Sequence, residues 1–143
     1  MTDENVLSQN FEIAGGDFSN AGNISTKIKE ILQEIGINSS IIIRVAIAAY
    51  EAEMNVVMYA HKGVITLNIT PQQLQLKLVD EGPGIKDIEL AMKEGYSTAT
   101  DEMREMGFGA GMGLPNIKKN ADQFKISSTV GKGTVLKIIF FLN

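Results

Sequence analysis

The stretch QQLQLKLVDEGPGI, residues 72–85, decides how the chain folds. Leu74, Leu76, Leu78 and Asp80 share one parity, so on a strand they share one face. Three leucines directed at a core are ordinary. A carboxylate fourth in that row is not, because an unpaired buried carboxylate is costly and needs a donor. A ligand amine is one such donor. Gly82 and Gly84 follow at once and remove side chains, so another group can approach the backbone closely. Gly-Pro-Gly also ends strands as a plain turn. The turn explains the glycines but not an Asp in a leucine row.

Working outward, VITLNIT (64–70) alternates in the same way and joins QLQLKLVDE through Pro71-Gln72, which predicts a hairpin. QFKISSTV and TVLKIIFFLN close the chain as a second hairpin with Gly131-Lys132-Gly133 as its turn. FEIAGGDF (11–18) predicts a first strand. Between it and VITLNIT, Ile24, Ile28, Ile31, Leu32 and Ile35 recur at helical spacing, and Gly36 with Ile37 marks a left-handed C-terminal cap. Asn38, Ser39 and Ser40 offer N-caps for a second helix over about 41–61, apolar on most sides and therefore expected to be buried, with Gly63 as its stop. A short helix is expected at 88–95 and another at PNIKKNA, with Pro115 near its first turn. The expected fold is α+β: a two-layer α/β sandwich, with a mainly antiparallel mixed sheet and helices on one face, in a single domain spanning 1–143.

Hydrophobic residues make up 44% and charged residues 21%, the balance of a globular domain. The net charge of −4 and the lack of a basic run argue against a nucleic-acid groove. The chain has no cysteine, which excludes disulfides and thiolate chemistry, and one histidine cannot build a His-rich metal centre. MTDENVLSQN is too polar for a signal peptide, and no apolar run reaches about 20 residues, so no membrane span is expected and a cytoplasmic location is.

Two further features carry chemistry. Glu51 and Asn55 are four apart and stack on one helix face, with Arg44, Ala48 and Met58 along the same stripe. They read either as a solvated strip or as a hard oxygen pair facing a cavity. In the second case the Asn carbonyl suits magnesium when phosphates supply other oxygens, and the carboxylate can take a hydroxyl proton. Gly107, Gly109, Gly111 and Gly113 alternate directly before a helix start at Leu114-Pro115. Bare backbone amides beside a helix N-terminus favour an anion, phosphate above all, over a merely flexible loop. The spacing is not G-x-G-x-x-G, and GKGT (131–134) lacks the upstream glycine of a Walker loop.

The order of these signals is more specific than any of them. E-x-x-x-N on a long helix, D-x-G-x-G after a strand, a glycine-rich loop before a helix and G-x-G-T between the last strands resemble the GHKL ATPase superfamily, with its Bergerat ATP-binding fold, over about residues 11–143. Within it, EGYSTAT, GAGMGLPNIKKNADQF and GKGT are similar to the lid, loop and last hairpin of bacterial anti-sigma-factor and stressosome switch serine/threonine kinases. ATDEMREMGF (99–108) departs as a longer lid.

The resemblance implies ATP and Mg2+ as cofactors. Asn55 would bind the magnesium, and Glu51 would act as base toward a substrate serine. Asp80 would accept a hydrogen bond from the adenine amine. Gly82 and Gly84 would let the purine pass, with Ile85 on its face, and Thr134 would support the adenine end directly or through water. Gly107, Gly109, Ala110, Gly111, Met112, Gly113 and Leu114 would wrap the phosphates. Arg104 would offset charge on the transferring phosphate, or else remain a solvated lid residue; Lys118 and Lys119 read as surface lysines.

The implied substrate is a STAS-domain anti-sigma-factor antagonist or stressosome scaffold protein. A sigma factor or phosphatase activator is a further partner, and the competing function is an anti-sigma factor that sequesters a sigma factor under nucleotide control. Ile139 and Phe141 fall on the outer parity of the last strand. They are expected to meet a homodimer mate or partner, or to be covered by the N-terminal segment.

Overall fold

The computed structural model describes residues 7–93 and 113–142. Five strands form one sheet in the order β1-β2-β3-β5-β4: β1 Leu7–Ala14, β2 Lys62–Ile69, β3 Gln73–Glu81, β4 Gln123–Thr129 and β5 Gly133–Phe141. The helices are α1 Asn23–Glu34, α2 Ser39–Tyr59, the single turn α3 Ile88–Ala91 and α4 Gly113–Asn120.

Every neighbouring strand pair is antiparallel. The sheet expected to be mainly antiparallel and mixed is thus antiparallel throughout; β3 and β4, joined by a crossover, do run the same way. The crossover skips one position, and β5 returns through the glycine turn into the gap, so the two parallel strands never touch. Strand parity then sorts the layers. Phe11 and Ile13, Ile65 and Leu67, Leu74 to Leu78, and Leu136 to Phe140 are buried on one face against Ile28, Leu32, Val45, Ala48, Ala52 and Val56 of the helices. Full burial of each such leucine or isoleucine stabilises the fold by about 1.5–3 kcal/mol relative to exposure.

The α1–α2 corner follows its sequence signals. Gly36 has φ 79°; its N–H donates to the Gln33 carbonyl at 3.2 Å and that of Ile37 to the Leu32 carbonyl at 3.0 Å, the paired bonds of a Schellman cap. Asn38 then caps α2, its Oδ1 accepting from the Ser40 N–H at 2.9 Å.

Three expectations are corrected. The first strand lies at Leu7–Ala14 rather than 11–18, because β1 pairs along the whole of β2, from Leu7 opposite Ile69 to Ala14 opposite Lys62. Next, α2 ends at Tyr59 without using Gly63 as a stop. Ala60 is already extended (ψ 165°), the His61 N–H donates to the Glu81 carbonyl at 2.8 Å, and Gly63 sits inside β2 opposite Asp80. Finally, α2 is not buried all round: Ile43 (59% exposed), Ile47 and Tyr50 form an outward apolar stripe, which only the phase of the helix on the sheet decides.

Candidate functional site

Asp80 ends the buried leucine row of β3 and is half-buried. Its surroundings are stripped of side chains. Gly63 stands opposite it in β2, where a Cβ would lie 3.4 Å from the Asp80 Cβ and 2.7 Å from Val56 Cγ2. A Cβ at Gly82 would reach 3.1 Å from Ala60 and 3.5 Å from Asp80 Oδ1, and one at Gly133 would collide with the Asp80 carbonyl oxygen. The carboxylate accepts one hydrogen bond among the described residues, from the Thr134 backbone N–H to Oδ1 at 2.9 Å. Burial pushes the Asp80 carboxyl above its ordinary range, while the Thr134 N–H pulls the other way.

The two glycine turns are knitted together beside it. The Gly82 N–H donates to the Lys132 carbonyl at 3.2 Å and the Gly131 N–H to the Pro83 carbonyl at 2.8 Å. Gly84, at φ 76°, lies so close to Thr129 that a Cβ would collide with its carbonyl oxygen. Ser128 is the hub: its Oγ accepts from the Ile85 N–H at 2.8 Å, donates to the Gly133 carbonyl at 3.1 Å and lies 2.9 Å from Thr134 Oγ1. D-x-G-x-G (80–84) and G-x-G-T (131–134), far apart in the chain, thus meet in one hydrogen-bonded floor.

The second half of the site is the α2–α4 contact. Glu51 and Asn55, four apart on α2, meet Asn116 and Gly113, three apart on α4. Asn116 Nδ2 donates to Glu51 Oε2 at 2.8 Å. A Cβ at Gly113 would lie 3.5 Å from Asn55 Oδ1, so the start of α4 and this carbonyl share one spot. A shallow depression of about 390 Å³ lined by Ala46, Ile47, Tyr50, Glu51 and Asn116 opens beside the carboxylate. Leu114 is buried at the start of α4, and Lys118 and Lys119 are exposed.

Arg44 does not join Glu51. Its Nε donates to the Asn120 carbonyl at 2.8 Å, its Nη2 pairs with Asp122 at 3.1 Å, and its guanidinium covers the Phe140 ring at 5.6 Å. It fastens α2 to the end of α4 and the start of β4. The predicted Arg104, Gly107, Gly109, Ala110, Gly111 and Met112 lie outside the described residues.

Sequence reasoning missed Gly63, Ser128, Asn116 and Glu53. Glu53 is 1% exposed and accepts from the backbone N–H groups of Gly22 (3.0 Å), Ile24 (3.3 Å) and Ser25 (3.0 Å) at the start of α1. Its signal was available: it lies four residues after Ala49 and three before Val56, in the apolar phase of α2.

The model of the histidine kinase-like ATPase domain matches residues 17–140. The chain is 31% identical over 118 residues to the serine/threonine-protein kinase RsbT of Bacillus subtilis, covering 80% of this chain and 83% of that protein. It is 32% identical over 100 residues to the anti-sigma F factor of Caldanaerobacter subterraneus, covering 66% of each. A crystal structure of the SiaB–SiaC complex from Pseudomonas aeruginosa shares the fold, with a TM-score of 0.61 at 12% identity over 96% of this chain and 92% of that one. The glycine-flanked Asp80 carboxylate and the Glu51–Asn55 helix face both lie within the matched span, and on these matches the chain belongs to the histidine kinase-like ATPase family.

Proposed function

We propose that the chain is an ATP-dependent protein serine/threonine kinase that phosphorylates a STAS-domain regulator in a bacterial partner-switching pathway. The observation that carries this reading is the pairing of Glu51 with Asn116 beside Asn55 and Gly113, because it unites a base, an oxygen ligand and a helix start. When bound, ATP supplies the phosphoryl group that the serine hydroxyl receives.

The residues fit such a substrate. Among the described residues Asp80 has acceptor capacity to spare for a ring amine, while Gly63, Gly82 and Gly133 lack side chains where Val56, Ala60 and the Asp80 carbonyl pack against them. Such a bond to a charged acceptor is worth about 1.5–3 kcal/mol. Asn55 Oδ1 is a hard ligand suited to Mg2+ held jointly with phosphate oxygens. The Gly113 end of α4 offers amides to an anion next to that ligand. Asn116 occupies Glu51 Oε2, which orients the carboxylate and leaves Oε1 to take the serine proton. Phosphoryl transfer needs positioning and charge neutralisation more than covalent help, and the docked partner supplies the positioning of its own serine.

The relative named a serine/threonine-protein kinase supports transfer. The relatives named anti-sigma F factors support a second reading, in which the chain sequesters a sigma factor under nucleotide control. Labelled ATP, Mg2+ and candidate STAS proteins separate the two. Label on a partner serine, reduced by about 10²-fold or more in a Glu51→Ala variant that still binds ATP, is the kinase outcome. Tight capture of a sigma factor with no label transferred would establish the second reading instead.

A further inference from the structure

The outer face of the sheet, turned away from the helices, carries an arrangement that the kinase reading does not use. Strand register sets Lys77 of β3 opposite Lys137 of β5 and Lys137 opposite Lys125 of β4. The three lysines lie in one cross-strand row, on strands spaced about 4.8 Å apart. Asn10 and Thr66 continue the row to the far edge without a charge. Among the described residues no carboxylate pairs with any of the three; the ion pairs join Arg44 to Asp122 and Lys62 to Glu81. Like charges directly opposed destabilise a sheet. Lysine on an edge strand guards against edge pairing, which accounts for Lys125 but not for Lys77 and Lys137 in the interior of the sheet. The row is also concentrated positive charge on a chain whose net charge is −4.

Apolar side chains flank the row. Val64, Val79 and Val135 form the next register row on one side. Ile139 lies on the other side, followed by Phe141; Val79 is 44% and Phe141 45% exposed. A mixture of cations and exposed apolar groups suits an acidic protein surface bearing apolar residues. A polyphosphate chain would gain nothing from the valines and would be repelled by the rest of the molecule. A two-fold contact between copies centred on this row would set lysine against lysine.

We propose that this outer face, centred on Lys77, Lys125 and Lys137, is a docking surface for an acidic, apolar-bearing protein partner. The surface lies across the sheet from Glu51 and Asp80, so a partner held there leaves the candidate nucleotide site open. Electrostatic complementarity steers encounter, and its effect falls with salt.

The test uses the 15N-labelled full chain and a soluble glutamate–tyrosine copolymer as the acidic probe. The expected result is amide shift changes confined to β3, β4 and β5 around the row, weakening as salt rises. Lys137→Glu places a carboxylate between two lysines. It is expected to weaken probe binding by about tenfold while the melting temperature stays at or above that of the parent. The triple Lys→Glu variant should abolish the shifts. Shift changes on the helical face, or equal affinity in the variants, would overturn the proposal. So would tighter binding of duplex DNA or of anionic vesicles than of the copolymer, or a row-dependent dimer in sedimentation.

Discussion

Glu53 and Asp80 are both carboxylates set into apolar rows, one in the phase of α2 and the other in the parity of β3. Their surroundings differ in one respect. Glu53 receives three backbone N–H groups at the start of α1 and is closed off. Among the described residues Asp80 receives one, and no side chain projects from Gly63, Gly82 or Gly133 beside it. An inward carboxylate is therefore not by itself the mark of a site; the mark is acceptor capacity left unfilled. Glu53 replaces the missing N-cap of α1, whose Gly22 has no side chain to offer. Asp80 is left with lone pairs that a ligand amine can occupy, and burial raises its pKa in the meantime.

The sharpest way to break this contrast is to remove the saturated carboxylate. Glu53→Ala should destabilise the fold by about 3–5 kcal/mol, because three amides at the start of α1, that of Ser25 buried, lose their acceptor; chemical denaturation reads it, and a loss under 1 kcal/mol would put Glu53 on a par with a surface residue. Gly133→Ala attacks the Asp80 side. With φ 151° and no room for a Cβ beside Asp80, it should cost about 2–4 kcal/mol of stability and nucleotide affinity together, seen as a lower melting temperature and weaker ATP titration. Asn116→Ala is milder. It leaves Glu51 in place but unoriented, so transfer should slow by about tenfold with ATP affinity unchanged, the signature of one hydrogen bond of about 1 kcal/mol or a little more; a variant with full transfer rate would show that Oε2 needs no partner.

Much of this was legible in the chain. Period-two alternation fixed β2, β3 and β5, and Gly36-Ile37 fixed the end of α1, since these signals are local. The Asp80 site was half legible: parity turned the carboxylate inward, but its facing Gly63 lies in another strand and its anchor Thr134 in a third. Ser128 and Asn116 carry no local signal, because an isolated Ser or Asn acquires meaning only when register or helix packing brings it to Ile85 or Glu51. Gly63 after Lys62 carries the local signal of a helix stop, but pairing of Lys62 with Glu81 draws the chain into the sheet first. Arg44 looked like a neighbour of Glu51 on spacing alone, and the α4–β4 corner captured it.

The most direct measurement is calorimetric ATP titration of Asp80→Asn beside the parent, with melting curves for both across pH. Asn keeps an Oδ1 for the Thr134 N–H but reverses the polarity of the other position. The expected result is ATP affinity lower by about 1.5–3 kcal/mol, or tenfold to a hundredfold and more, with no loss of melting temperature at neutral pH. The raised pKa means the charged Asp80 costs the parent stability above that pKa; as pH falls through it the carboxyl is neutralised, and any advantage of the Asn variant should fade. Undiminished ATP affinity in Asp80→Asn would contradict the assignment of the unfilled carboxylate to the adenine amine.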